Sequence, residues 1–281
     1  MRGISKVRDI LTGMGIYGLT GLLILLVAFP LYWMVTSSLK EPTDLFDWPP
    51  HIVPVAITFE SYLKLVATTP FIRYFANSLV VAVATVAVVV TASTFGGYAL
   101  SRTRFPGKEI FSHLILVTYM FPPILLVIPL FSLLIGLRLV DNYLGLILTY
   151  PTITLPFNLW LMRAFFNTVP VEIEDAAVVD GATRFQAFYK VALPQARPGI
   201  ITAGILAFVW SWNEFLYAAV FMSSGDLYTM PVGLANMSGR FAIDWGVLMA
   251  AATIFTIPAL LLFIGVLKYM VRGFGAGALK G

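Results

Sequence analysis

From Tyr74 to Ser101 the chain carries neither a charged residue nor a proline. A helix needs about 20 residues to cross a bilayer, so this run spans with length to spare. Five further apolar runs follow the same logic: Ile10–Leu39, Glu109–Leu137, Tyr143–Met162, Ile200–Met222 and Trp245–Leu267. Proline interrupts several of them, at Pro30, Pro122, Pro123, Pro129, Pro151, Pro156 and Pro258. Proline at membrane depth is tolerated where protein or a water-lined cavity satisfies the freed backbone, which suits a helix bundle around a pathway. Composition closes the argument: 59% of the 281 residues are hydrophobic and 11% are charged, more apolar surface than a soluble core hides. The first run is too long for the apolar region of a signal peptide, and no small-x-small cleavage site follows it. The expected fold is an all-α membrane protein with six transmembrane helices.

Basic residues orient it. With the N-terminus inside, the cytoplasmic side receives Arg2, Lys6, Arg8, Arg102, Arg104, Lys108, Arg163, Arg184, Lys190, Arg197, Lys268, Arg272 and Lys280. The outside receives Lys40, Lys64, Arg73, Arg138 and Arg240, mostly beside acids. Both termini are then cytoplasmic. The external segments are residues 40–73, with a short interfacial helix expected over Phe59–Val66, the turn 138–142, and the loop Ser223–Asp244.

One long polar stretch stands out in the second half, Thr168–Gly199, and this orientation makes it cytoplasmic. Pro170 suits the start of a helix, and Glu172, Glu174 and Asp175 sit near that helix's positive end. Ala176 and Ala177 are small enough for another backbone to approach. Asp180-Gly181 is a stop signal, and Thr183 with Gln186 reads as a capping box. Phe185, Phe188, Tyr189 and Ala192 recur at i, i+3, i+4 and i+7, one apolar face of a second helix that Pro194 is expected to end. The reading is a docking hairpin that meets another protein, against an amphipathic loop folded back on its own helices.

Glu214 is the one acid deep within a span, and burying its charge costs about 2.5–3.5 kcal/mol on insertion scales. Its neighbours Trp210, Trp212 and Asn213 supply aromatic faces and amide groups, which suit the C–H patches and hydroxyls of a sugar. A structural hydrogen bond between helices explains Glu214 equally well. Tyr119, Tyr150 and Asn158 are candidates for the same cavity, or else interhelical contacts.

Other chemistry is excluded on residues. No cysteine is present, so disulfides and thiolate metal sites are out. His51 and His113 are isolated, and Gly107-Lys108 lacks the preceding glycine of a P-loop. No catalytic residue, metal site or cofactor is expected, and no basic cluster with interleaved aromatics points to nucleic acid.

The hairpin resembles the cytoplasmic signature of ABC-importer permease subunits, Glu-Ala-Ala, three residues, Gly, nine residues, then hydrophobic-x-Leu-Pro. Here it reads Asp175-Ala176-Ala177, Gly181, Val191-Ala192-Leu193-Pro194. Asp175 stands where the family has Glu, although Glu174 precedes it, and this leaves open which carboxylate meets the ATPase. YALSRTRFPGK before the third run, Leu155–Phe157, Trp212–Phe215 and the terminal GALKG are similar to the carbohydrate branch, most of all to its maltose-type second permease. The resemblance implies the type I importer fold in a prokaryotic inner membrane, with residues 1–70 as an N-terminal helix and external loop, 71–270 as the permease core, and 271–281 as a tail. It implies a homologous second permease, two cytoplasmic ATP-binding subunits and an external solute-binding protein facing the loop Ser223–Asp244. The ATPase-docking residues it points to are Glu174, Asp175, Ala176, Ala177, Asp180, Gly181, Ala182, Arg184, Phe185, Phe188, Tyr189, Leu193 and Pro194, with Phe188 and Tyr189 on a coupling helix. The function expected is half of the pathway of an ATP-driven importer of a maltose- or trehalose-like sugar. The alternatives are the same fold importing a non-sugar solute, or a proton-coupled secondary transporter using Glu214.

Overall fold

The computed structural model describes residues 2–237 and 243–277. Arg240 and the terminal segment that carries Lys280 lie outside them. In chain order the helices are α1 (Arg2–Ser38), α2 (Glu60–Thr68), α3 (Phe71–Arg102), α4 (Lys108–Tyr119), α5 (Pro123–Leu137), α6 (Tyr143–Thr149), α7 (Pro151–Asn167), α8 (Val171–Val179), α9 (Arg184–Ala187), α10 (Leu193–Gln195), α11 (Arg197–Asn213), α12 (Leu216–Phe221), α13 (Met230–Met237) and α14 (Trp245–Gly277). Among the described residues, four helical stretches are long and apolar enough to cross a membrane unbroken: Gly15–Ser38, Phe71–Arg102, Tyr143–Asn167 and Trp245–Gly265.

The third expected span is broken. α4 and α5 meet at 95°, because Pro122 and Pro123 cannot donate to the carbonyls four residues earlier. Phe121 closes α4 with a tighter turn onto the Thr118 carbonyl instead. The fifth expected span, Ile200–Met222, is also broken, between α11 and α12, although it contains no proline. Glu214 takes an extended conformation there (ψ 124°). Its cause is at the candidate site, below.

The chain divides into two units. The first comprises residues 1–69 and 236–254. In it the Lys40 ammonium, almost wholly buried, lies 4.4 Å from the centre of the Trp33 ring and donates to the His51 carbonyl at 2.5 Å. Tyr62 of α2 shares a hydrogen bond with Ser38, and Lys64 pairs with Asp244.

The second unit comprises residues 70–235 and 255–281. α3 is its axis and packs on α7 and α11. The approach to α7 is close: a Cβ added to Gly97 would stand 2.6 Å from the Met162 Cβ and 2.8 Å from the Arg163 nitrogen, so only glycine fits at that crossing. One apolar cluster, with Val81, Leu134, Leu146, Tyr150, Tyr217 and Phe221, fills the space among α3, α5, α6 and α12. A second, with Met162, Phe166, Phe188, Ala192 and Ala203, sits where the polar stretch 168–199 folds against α7 and α11. Near the first cluster, Asp141 accepts from the backbone N–H groups of Ser223 and Ser224 and from the Ser224 hydroxyl. The Ser224 hydroxyl and these amides hold its carboxyl below the usual range.

Candidate functional site

Two places in the second unit hold the residues that the sequence singles out. The first is the stretch 168–199. Pro170 lies just outside α8 and Gly181 ends it with φ +92°, a conformation other residues adopt only with strain. Thr183 and Gln186 form the capping box that opens α9, with both reciprocal hydrogen bonds made.

The second helix departs from expectation. After α9 the backbone widens into a π-turn over Phe188–Ala192 and then continues through α10, so Pro194 does not end the helix. Its ring would collide with the Lys190 carbonyl in a regular α-turn, and the widened turn just before it removes that collision. The expected apolar face is itself divided. Phe188 and Ala192 are buried on Met162, Phe166 and Tyr98, whereas Phe185 and Tyr189 are 66% and 61% exposed.

The adjacent acids part in the same way. Asp175 faces outward and pairs with the exposed Arg184 at 3.0 Å. Glu174 turns inward and is 2% exposed. Its Oε1 accepts from Arg102 Nε at 2.7 Å and lies 2.6 Å from Arg102 Nη2, while its Oε2 accepts from the Tyr98 hydroxyl at 2.7 Å. Arg102 also donates to the Val169 carbonyl and to Ser101. Glu174 and Phe188, both expected on the docking face, are therefore inside it. What faces outward is Asp175, Ala176, Asp180, Gly181, Arg184, Phe185 and Tyr189, with Ala177, Ala182, Leu193 and Pro194 half-buried. Val179, 86% exposed, belongs with them. Sequence reading missed Val179, Arg102 and Tyr98. The available signals were a valine beside the Asp180-Gly181 stop and an arginine closing the long α3 run.

The second place is the break between α11 and α12. The Glu214 carboxylate accepts from the Tyr217 N–H at 2.8 Å and the Ala218 N–H at 3.1 Å. It caps the first turn of α12, whose amides have no helical partner, and the opposed charges of carboxylate and helix start stabilise each other. That explains a break without proline. Glu214 also borders a cavity of about 610 Å³, with Trp210, Asn213, Pro123, Ile153 and Leu216. A smaller cavity of about 190 Å³, bordered by Tyr119 and Thr152, shares Pro123, Ile153 and Trp210 with it.

Of the expected pathway residues, Tyr119, Trp210, Asn213 and Glu214 line these cavities and the other three do not. Trp212 lies two residues from Trp210 and so on another side of the helix. It is stacked between Phe208 and Phe255, and its indole N–H donates to the Phe255 carbonyl at 3.0 Å. Asn158 donates to the Thr154 carbonyl within α7. Tyr150 is buried in the apolar cluster, and its hydroxyl lies beside the Glu214 carboxylate. Trp212 and Asn158 thus pack within the helices, and Tyr150 meets Glu214 from the core side.

A family model described as "Binding-protein-dependent transport system inner membrane component" matches residues 90–275, a stretch that contains both the hairpin and the broken helix. The chain belongs to this family. As an inner-membrane transport component it has relatives along nearly its whole length. It is 36% identical to the sulfoquinovosyl glycerol transport system permease protein SmoH of Agrobacterium fabrum, over 90% of this chain and 89% of the relative. It is 35% identical to the trehalose transport system permease protein SugB of Mycobacterium tuberculosis, over 91% and 92%. A chain of the crystal structure of a bacterial ABC transporter involved in the import of the acidic polysaccharide alginate superposes with a TM-score of 0.82 at 25% identity, covering 93% of this chain and 97% of that one.

Proposed function

We propose that this permease component forms half of the pathway of an ATP-driven sugar importer and that the stretch 168–199 is its cytoplasmic docking hairpin. The observation that carries the reading is the outward face of that hairpin. Val179, Phe185 and Tyr189 are all more than 60% exposed, beside Asp175, Asp180 and Arg184, in a polar segment that has no bilayer to cover it. Large exposed apolar groups rimmed by charge mark a protein-binding surface. A chain without a phosphate-binding loop needs such a surface to receive work from separate ATP-binding subunits.

In this reading six spans cross the membrane, α4–α5 and α11–α12 being the broken ones, and both termini are cytoplasmic. Residues 71–270 form the permease core, with residues 1–70 as an added helix and external loop and 271–281 as a tail. A homologous permease completes the pathway, and a solute-binding protein meets the loop after Ser223. Asp175, not Glu174, is the acid offered to the ATPase. Sugar is favoured as solute because relatives named for trehalose and sulfoquinovosyl glycerol transport align over 91% and 90% of this chain. The cavity supports it: the Trp210 ring offers an apolar face, and Asn213 and Glu214 offer acceptors.

The test is to purify the tagged chain from its own membranes and reconstitute it with whatever accompanies it. An ATP-binding subunit is expected to co-purify, and Phe185→Asp with Val179→Asp is expected to strip it away while the chain still inserts. Solute flux into liposomes holding this chain alone, measured with radiolabelled disaccharides, would replace the reading with a self-powered transporter.

A further inference from the structure

α3 is the one span of the second unit with neither a proline nor a break, and it runs 32 residues, about 48 Å at 1.5 Å per residue. Both of its ends are held by side-chain hydrogen bonds to segments far away in sequence. At the Arg102 end, Arg102 and Tyr98 grip Glu174, the inward acid of α8. At the Phe71 end, the Asn77 amide donates to the carbonyls of Asp226 and Tyr228, both at 2.9 Å, and the Ser78 hydroxyl accepts from the Met230 N–H at 2.7 Å. Arg73 pairs with Asp226, and the Tyr74 ring lies over Gly233, where a Cβ would stand 2.2 Å from it. One polar hairpin and one polar loop are thus fastened to opposite ends of a single rod.

We propose that α3 is a strut that carries movement between the hairpin and the loop 223–230, with Glu174–Arg102–Tyr98 as its inner joint and Asn77 and Ser78 as its outer joint. This rests on the reading of 168–199 as the docking hairpin. The inner joint suits the task because it is stiff and specific. Nε and Nη2 of Arg102 both reach one carboxylate oxygen in charge-assisted contacts, and Tyr98 fills the other. A hairpin that shifts against α7 alone would leave the buried Glu174 charge unpaired, so the cheaper movement takes Arg102, and with it α3, along. The strut is reciprocal: whatever occupies the outer loop biases the hairpin by the same free energy that nucleotide-driven movement of the hairpin biases the loop. Arg102, Glu174 and Asn77 are positioning residues in this scheme and touch no solute.

The chain has no cysteine, and Gly225 has open space where a Cβ would stand, so Gly225→Cys takes a spin label at the outer loop. The experiment uses the complex purified through a tag on this chain, in nanodiscs, titrated with a non-hydrolysable ATP analogue. The label is expected to respond to nucleotide. Glu174→Gln and Asn77→Ala are each expected to raise the concentration for half-response about five- to tenfold, the low end of ordinary coupling energies. The double variant is expected to do no more than either alone, since both cut one line in series. Tyr98→Phe removes one bond of the inner joint and gives a milder shift in a chain that keeps its ring packing. Glu109→Gln is the control for mere loosening, because it cuts the α4–α7 bridge to Arg163 without touching α3, and it is expected to leave the response unchanged. An unaltered response in Glu174→Gln with the ATP-binding subunit still attached overturns the strut and leaves the hairpin reading intact. An equal loss in Glu109→Gln overturns it too. Recovery of no ATP-binding subunit in the parent overturns the hairpin reading and the strut with it.

Discussion

Glu174 and Glu214 are both buried acids, and they are stabilised in opposite ways. Glu214 takes its partners from three and four residues ahead, the backbone amides of Tyr217 and Ala218. Glu174 takes its partners from Tyr98 and Arg102, more than seventy positions back. The first arrangement is a cap: it shapes its own turn, with the Tyr150 hydroxyl beside it as its one distant neighbour among these contacts. The second is a joint: it exists only while α8 and α3 keep their relation. The amides ahead of Glu214 shape a helix, whereas the distant partners of Glu174 tie α8 to α3.

That comparison sets the order of the mutational effects. The largest is expected at Glu174. Its side chain and that of Arg102 are only 3% and 12% exposed, and removing one member of a buried pair strands the other, at a cost of about 3–5 kcal/mol. Glu174→Ala should lower the thermal unfolding midpoint of the purified chain sharply, and Glu174→Ala with Arg102→Met should recover most of the loss. A double variant as unstable as the single would show that the pairing with Arg102 is not what Glu174 supplies.

The sequence carried α3 plainly, because a long run without charge or proline has one reading in lipid. The α4–α5 break was nearly as plain, since two successive prolines remove two successive donors. The break at Glu214 was hidden: no glycine or proline marks it, and glutamate is a poor signal for a cap. The choice between Glu174 and Asp175 was hidden for another reason. α8 is nine residues long and carries Val171, Ile173, Val178 and Val179 around its circumference, so no apolar stripe gives its phase. Phe185 and Tyr189 form one i,i+4 row and Phe188 and Ala192 the next, so a face four residues wide splits into an exposed and a buried row. The π-turn over Phe188–Ala192 was signalled only by the collision that Pro194 would make with the Lys190 carbonyl in a regular turn.

Glu214 comes second in expected effect. Glu214→Ala removes both caps from α12 and should cost about 1–2 kcal/mol, the usual loss for a capping side chain. Glu214→Gln keeps one acceptor oxygen and should cost about half of that. The same pair separates structure from pathway in transport assays on the reconstituted complex. A purely capping acid makes the Gln variant close to the parent in both KM and kcat, whereas an acid that also accepts from solute hydroxyls in the 610 Å³ cavity raises KM in the Gln variant.

The smallest effect on folding is expected one residue from the largest. Asp175 and Arg184 are 55% and 76% exposed, and an ion pair in water contributes between about 0 and 1 kcal/mol. Asp175→Asn should therefore leave the unfolding midpoint of the isolated chain within the scatter of repeated measurements. Its expected consequence lies elsewhere, in weaker retention of the ATP-binding subunit when the complex is washed at rising salt, because screening acts on exposed charges and spares buried ones. Glu174→Gln should show the reverse pattern, a lower midpoint with little change in the salt at which the subunit leaves. If Asp175→Asn destabilises the isolated chain as much as Glu174→Ala does, then α8 is rotated from the orientation described above, and the joint and the docking acid exchange places.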